Sequence, residues 1–392
     1  MNRAHHLADV AVPVGVRTTF TYLIPEELRE TIRVGHRVPI PLGRRRTHGY
    51  VVRIHGGQAP ERLRALEAPD PPEPVFDTQL LELTKWVADY YLAPFGEVLE
   101  AAAPRGRTAS TRKPRAAKEE DEAAASLREA SLPEPAPSLG DEQQAVFLAL
   151  REALGRQRFE VHLLQGVPGS GKTEIYLALA EEAIRRGGSV LLLEPEIGLA
   201  TQILARVRRR FGDLVGLYHS MTGDRLRRQT WERARAGELR IVVGARSAVF
   251  VPLPDLRLVI VDEEQEPSYK QEESPRYHGR DTAIMRARGA GALVVLGSAT
   301  PSLEAIQNVR TGKFQGHVLT QRHTGRPGAI VHIVDLKVDP GMPKGSRAIP
   351  LFSGLLVQKI HERLVAREQT ILFLNRRGHS PAVQCSDCGE MF

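Results

Sequence analysis

An α/β fold is predicted for most of this 392-residue chain: a parallel-sheet lobe with a phosphate loop, preceded by a small β-rich domain. From Leu139 onward, apolar strand-like runs alternate with helix-like segments, which implies a parallel sheet covered by helices. The stretch Gly166-Val167-Pro168-Gly169-Ser170-Gly171-Lys172-Thr173 reads G-x-x-x-x-G-K-T, a phosphate-binding loop. It lies between an apolar run (Val161 to Leu164) and a helix-like segment (Thr173 to Arg186) stopped by Gly187 and Gly188. Before Pro104, short alternating runs are punctuated by Pro and Gly, the pattern of a small β-structure.

The elements follow in order. Strands are expected at Leu7–Val12, Thr18–Leu23, Arg37–Pro41 and Gly49–Ile54, then a helix at Phe76–Leu92. Residues 105–138 are rich in Ala, Glu, Lys, Arg, Ser and Pro, a linker with a short helix at Glu119–Ala130. Further strands are expected at Phe159–Leu164, Ser189–Leu193, Leu214–Tyr218, Arg240–Val243, Leu256–Val261 and Ala292–Leu296. A second strand–helix pattern begins near Val331. The resulting domains are 1–104, linker 105–138, lobe 139–322 and the start of a second lobe at 323–392.

Composition is globular, 42% hydrophobic and 26% charged, and the length suits two or three domains. A net charge of +7 suits a polyanionic partner and says nothing about fold. The N-terminus carries His5, His6 and Asp9 without a long apolar core, which excludes a secretory signal. No run approaches the ~20 apolar residues of a membrane span. A cytoplasmic protein without a membrane partner is expected. Cys385 and Cys388 are the two cysteines, which excludes a disulfide framework and leaves a metal or redox role.

The phosphate loop carries the first chemistry. Its glycines turn backbone N–H groups toward phosphate oxygens at a helix N-terminus. Lys172 is expected to reach the β- and γ-phosphates of ATP, and Thr173 to hold Mg²⁺. The apolar run Leu256–Val261 ends in Asp262-Glu263-Glu264-Gln265. There Asp262 is the candidate for the Mg²⁺ shell and Glu263 for polarising the attacking water, since phosphoryl transfer needs positioning and charge neutralisation. Ser298-Ala299-Thr300, after a third strand, is suited to sensing the γ-phosphate. Basic residues cluster at Arg44, Arg45 and Arg46, on an expected hairpin, and around Arg206–Arg210 and Arg225–Arg228. Phosphate contacts explain such clusters, and solvated helix faces do too; DNA is the favoured reading for Arg44 to Arg46.

In this order the three motifs resemble the first motor lobe of superfamily 2 helicases. The resemblance extends through Leu193–Leu199, Gly244–Ala248, Tyr269-Lys270-Gln271, Arg276–Asp281 and Phe373–Gly378 to the primosomal replication-restart helicases, the PriA family. Thr19–Pro25 and Asp89-Tyr90-Tyr91 resemble that family's DNA-binding domain. The resemblance implies a RecA-like motor lobe behind a 3′-end DNA-binding domain. It also implies an ATP-dependent helicase moving 3′ to 5′, which recognises branched DNA at abandoned forks and starts reloading of the replicative helicase. Primosome proteins and single-stranded DNA-binding protein are the implied partners.

Carried over residue by residue, Phe20, Tyr22 and Gly35 fall in the 3′-end pocket, with β-core packing open as the alternative for the two aromatics. Gln143 falls where the adenine edge is read, with a surface glutamine as its alternative. Tyr269, Lys270, Arg276 and Tyr277 fall in a loop that couples single-stranded DNA to ATP turnover; aromatics interleaved with cations suit base stacking. Five departures are visible. Thr21 stands where the family has Asp, Gln265 where it has His and Pro275 where it has Trp, and these imply weaker 3′-end recognition and altered coupling. Cys385 and Cys388 match the start of a zinc module, and two thiolates leave a tetrahedral Zn²⁺ site incomplete. The second lobe, with its arginine motif, is incomplete as well. The chain is therefore expected to be weak or inactive as an ATPase alone, and a non-helicase fork-binding scaffold is the alternative reading.

Overall fold

Short runs bounded by Pro and Gly form four antiparallel strands in the N-terminal segment: β1 (His5–Ala11), β2 (Phe20–Leu23), β3 (Arg37–Leu42) and β4 (Arg45–Gly57). Their order is β2-β1-β4-β3. The computed structural model describes residues 5–58, 63–104, 138–195, 197–219, 222–322, 330–336 and 352–373, with the backbone alone at 197–202. Alternation places Ala8, Val10, Tyr22, Val38, Ile40 and Val51 on the face that closes this domain's core. β3 and β4 join in a tight hairpin with Leu42 opposite Arg45, and Gly43 supplies the positive φ (58°) that the turn needs. β4 runs longer than the expected Gly49–Ile54 because the whole hairpin arm pairs with β1 and β3.

Two helices follow, α1 (Thr78–Tyr90) and α2 (Phe95–Ala102). Asp77 caps α1 by accepting a hydrogen bond from the Leu80 amide at 2.8 Å, the role a short carboxylate plays at a helix start. The expected helix Phe76–Leu92 corresponds to α1, and α2 was not anticipated; the chain breaks between them at Leu92, which takes φ 54°.

The second sheet holds β5 (Glu160–Gly166), β6 (Ser189–Leu193), β7 (Val215–Tyr218), β8 (Ile241–Gly244), β9 (Leu256–Val261), β10 (Leu293–Ser298) and β11 (Gln315–Leu319). Their order is β11-β5-β10-β9-β6-β8-β7, and every pairing is parallel. Helix α3 (Asp141–Gly155) leads into β5, and α4 (Lys172–Arg185), α5 (Ile197–Phe211), α6 (Asp224–Arg235), α7 (Gly279–Ala290) and α8 (Leu303–Arg310) connect the strands. Strands covered on both faces must be continuously apolar, and β6, β8 and β9 are buried almost throughout. β9 and β10 lie adjacent with β5 next to β10, so the ends of the three motif-bearing strands share one edge of the sheet.

The N-terminal domain packs directly on this lobe. Phe76 meets Trp231 edge-on at 6.3 Å between ring centres and Tyr50 at 5.5 Å. Arg235 donates to the Pro74 carbonyl at 2.8 Å. Residues 1–325 form one unit and 326–392 another. In the second unit, α9 (Gly354–Val365) is capped by Ser353, and the strand expected near Val331 is absent among the described residues 330–336. The helix expected at Glu119–Ala130 lies outside the described residues. No helix among the described residues is long and apolar enough to cross a membrane.

Candidate functional site

β5 ends at Gly166 and α4 begins at Lys172, so the phosphate loop sits at the carboxyl edge of the sheet, where ligands of such folds bind. Two glycines are fixed by geometry. Gly171 has φ 80°, and a Cβ there would stand 2.2 Å from Gln143 Nε2. Gly166 lies where a Cβ would stand 2.5 Å from Ser170 Oγ. Gln143, in the first turn of α3, is buried. Its Nε2 donates to the Ser170 carbonyl at 2.7 Å, and its Oε1 accepts from the Gly140 amide at 2.9 Å. Gln143 thus holds the loop directly. Lys172 Nζ donates to the Gly166 carbonyl at 3.0 Å.

A cavity of about 420 Å³ is lined by Ser138, Gln143, residues 168–174, Arg206, Asp262 and Glu263. It brings the first two motifs together. Asp262 is nearly buried. Burial pushes its carboxyl above the usual range, and the hydrogen bond from Tyr176 and the charge of Lys172 oppose that rise. Tyr176 Oη donates to Asp262 Oδ1 at 3.0 Å. Glu263 takes φ 42°, a conformation that costs a residue with a Cβ about 1–3 kcal/mol. It is held by its own amide on Asp262 Oδ1 (3.1 Å) and by the Glu264 amide on the Gly297 carbonyl (3.0 Å).

The third motif is wired to the second. Gln265 Nε2 donates to Glu263 Oε2 at 2.9 Å, and Ser298 Oγ donates to Gln265 Oε1 at 2.5 Å. The Thr300 amide donates to Ser298 Oγ at 2.9 Å. Ala299 lies between them in the chain. Fully buried Glu264 takes no part in the cavity. It pairs with Arg280 at 2.7 Å and accepts from the Ser302 amide at the start of α8.

Tyr269 and Tyr277 correct the sequence expectation. They are 0% and 1% exposed, so neither ring face is open to a base. Tyr269 Oη lies 2.8 Å from the Asp262 carbonyl and 3.1 Å from that of Leu193, and Tyr277 packs edge-on against Phe250. The segment after β9 folds back over the sheet edge, and its tyrosines plug the gap. Burial lifts the Tyr277 phenol to about 12. Lys270 and Arg276 are exposed. Lys270 donates to the Arg276 carbonyl at 2.5 Å and lies 4.8 Å above the Tyr91 ring, which links this loop to the N-terminal domain.

In that domain Tyr22 takes the core-packing alternative: it is 4% exposed, with Oη on the Pro41 carbonyl at 3.0 Å. Phe20, half-buried, packs on the same core. Gly35, with φ 92°, is imposed by close approach: a Cβ would stand 2.0 Å from the Phe76 carbonyl oxygen. Arg44, Arg45 and Arg46 are exposed at the β3–β4 hairpin, Arg46 paired with Glu67 at 2.5 Å. Thr21 has company the sequence did not reveal. Its hydroxyl donates to Asp9 Oδ1 at 2.8 Å, and Arg53 donates to Asp9 Oδ2 at 2.7 Å. Burial alone would raise the Asp9 carboxyl; hydrogen bonds from Thr21, Arg53 and His55 outweigh it and hold it below the usual range. Asp9 lines a cavity of about 780 Å³ with Arg17, Thr19, Arg53, Lys85 and Phe95. Cys385 and Cys388 lie outside the described residues, and no cluster among the described residues could hold a metal through three His, Cys, Asp or Glu side chains.

Sequence reasoning missed Tyr176 and Asp9, and it placed Arg206 only in a basic cluster, not at the nucleotide cavity. Tyr176 stands four residues after Lys172 on the same helix, a spacing that shares a face. Asp9 lies directly across from Thr21.

Two family models match the chain: a 3′ DNA-binding domain over residues 9–104 and a DEAD/DEAH box helicase domain over residues 141–309. The replication restart protein PriA of Haemophilus influenzae is 33% identical over 98% of this chain and 60% of its own length. PriA of Chlamydia pneumoniae is 44% identical over 65% of this chain and 34% of its own length. PriA of Bacillus subtilis is 43% identical over 65% and 31%. The chain spans less than two thirds of these relatives. With a 3′ DNA-binding domain followed by a DEAD/DEAH box helicase domain, and a relative that matches it almost from end to end, the chain belongs to the PriA family of replication restart proteins.

Proposed function

We propose that this chain binds Mg·ATP between the phosphate loop and Asp262, and that ATP turnover drives 3′-to-5′ movement on DNA. In this reading residues 1–104 capture the 3′ end of a nascent strand at a stalled or abandoned fork. Residues 139–322 are the ATP-binding lobe, and residues 323–392 begin a second lobe. Primosome proteins and single-stranded DNA-binding protein are the partners that would follow from fork capture and reloading of the replicative helicase.

The observation that carries the reading is the hydrogen-bonded path Glu263–Gln265–Ser298. It joins a carboxylate of the nucleotide cavity to the third motif strand, so a change at one end has a physical route to the other. The altered coupling expected from Gln265 therefore becomes a specific proposal: the amide serves as the bridge.

Mg²⁺ fits the donor set, because it takes only one or two protein ligands beside phosphate oxygens and water. Asp262 and Thr173 line one cavity, and buried Ser170 Oγ there has no hydrogen-bond partner among the described residues. When bound, Mg²⁺ would neutralise phosphate charge, held by Thr173 and Asp262. Lys172 neutralises charge on the terminal phosphates. Glu263 orients the water and accepts its proton at a carboxylate oxygen. Tyr176 keeps Asp262 ionised and aimed. Gln143 holds the loop in shape and takes the adenine edge.

Strand displacement tests the proposal. Weak, ATP-dependent unwinding of a duplex with a 3′ single-stranded tail, with none for a 5′ tail, is expected of this chain alone. Fork binding that is tight and wholly indifferent to ATP, without displacement, would favour the scaffold reading instead.

A further inference from the structure

The nucleotide cavity holds a second cation that no motif assigns. Helices α4 and α5 run side by side and are joined by two ion pairs, Glu174 with Arg206 and Glu181 with Arg210. The pairs look equivalent along the seam, but only Glu174 and Arg206 line the cavity. The Arg206 side chain is 49% exposed, whereas Glu174 is 15% exposed. The anchor is therefore fixed and the guanidinium faces open space. Among the described residues around the cavity, three carboxylates (Glu174, Asp262 and Glu263) face two cations, Lys172 and Arg206. A polyphosphate entering that lining meets one more carboxylate than cation, so contact with both cations is needed to offset the repulsion.

We propose that Arg206 is a nucleotide-contacting residue, held on Glu174 and shared with the phosphate chain when Mg·ATP binds. A guanidinium presents five donors in a planar fork, so the one bond it makes among the described residues, from Nη2 to Glu174, leaves capacity for phosphate oxygens. Bidentate guanidinium–phosphate contacts are among the stronger charge-assisted hydrogen bonds. Arg210 is bonded to Glu181 through both Nε and Nη2, and it keeps the helices together while Arg206 shifts. Glu174 then acts as a counter-anion that competes with the nucleotide for Arg206. This inference rests on the nucleotide reading of the cavity and adds a specific contact to it.

The test is calorimetric titration of the full 392-residue chain with Mg·ATP. Arg206→Ala is expected to weaken binding about tenfold or more, the loss typical of one charge-assisted contact. Arg210→Ala should bind like the unaltered chain, because its pair lies outside the cavity. Glu174→Gln should bind more tightly, since it frees Arg206 without touching the phosphate loop. Unchanged affinity in Arg206→Ala would overturn the assignment. So would equal weakening in Arg206→Ala and Arg210→Ala, which would mean that the seam matters and the contact does not. If Lys172→Ala binds Mg·ATP like the unaltered chain, the nucleotide reading itself fails, whatever Arg206 does.

Discussion

Tyr176 Oη donates to Asp262 Oδ1 at 3.0 Å, and Gly297 makes room for that bond. A Cβ at Gly297 would stand 1.7 Å from the tyrosine oxygen and 2.8 Å from the carboxylate. One residue of the phosphate-loop helix, one of the acidic motif and one preceding the Ser-Ala-Thr motif thus form a single contact. The glycine is the space that lets the other two meet.

Tyr176→Phe should disturb turnover more than nucleotide affinity. The bond lowers the Asp262 carboxyl against a burial that raises it, so its loss raises the folded-state pKa further. Asp262 must be ionised to act, and the acid limb of the pH–rate profile should therefore move to higher pH. Stability should fall by about 1 kcal/mol, the usual net worth of one hydrogen bond. Rates measured across pH, together with urea unfolding, check both parts.

Gly297→Ala should be worse than Tyr176→Phe. The added methyl displaces a fully buried ring and takes the tyrosine donor away from the carboxylate. Overpacking of this kind costs about 1–3 kcal/mol. Thermal melting of both variants gives the order, and a Gly297→Ala protein as stable as the parent would show that Tyr176 can move freely.

Ser298→Ala should uncouple the motifs without emptying the cavity. Ser298 Oγ bridges Gln265 Oε1 and the Thr300 amide but does not line the nucleotide cavity. Mg·ATP affinity should stay within about twofold, a change of less than 1 kcal/mol, while the effect of DNA on ATP turnover is lost. Paired titration and turnover assays separate the two.

A pH dependence should come from β5 and β11. His162 and His317 stack in parallel with Nδ1 and Nε2 2.9 Å apart, and Glu160 lies 3.3 Å from His162. Burial and the neighbouring ring lower His317 from 6.5 to about 4, and burial lowers His162. Folded-state values below the unfolded ones mean that the unfolded chain binds more protons. This contribution is complete above pH 6.5 and is lost as pH falls toward about 4. Unfolding free energies measured through that window should lose slope in His317→Gln relative to the parent, by at most about 1.4 kcal/mol per pH unit for each proton.

Much of the fold was legible because it rests on local pattern. β6 and β9 were read at the bounds they occupy, since strands buried on both faces are unbroken apolar runs. β11 was missed because Gln315–Leu319 is an edge strand whose one buried residue is Leu319. The nucleotide motifs were legible because each is contiguous and sits at a strand end. Tyr176, Arg206 and the Thr21–Asp9 contact were not, since each arises where distant segments meet. Tyr269 and Tyr277 misled for the opposite reason: aromatics among cations suggest a stacking surface, and here the rings close the lobe while Lys270 and Arg276 stay outside.

In this reading Glu263, Gln265 and Ser298 join the nucleotide site to DNA. ATP hydrolysis by the chain, with and without forked DNA carrying a 3′ end at the branch, tests it most directly. The fork should raise the rate, and Lys172→Ala should abolish turnover while fork binding survives. A rate that is the same with saturating fork as without it would contradict the account.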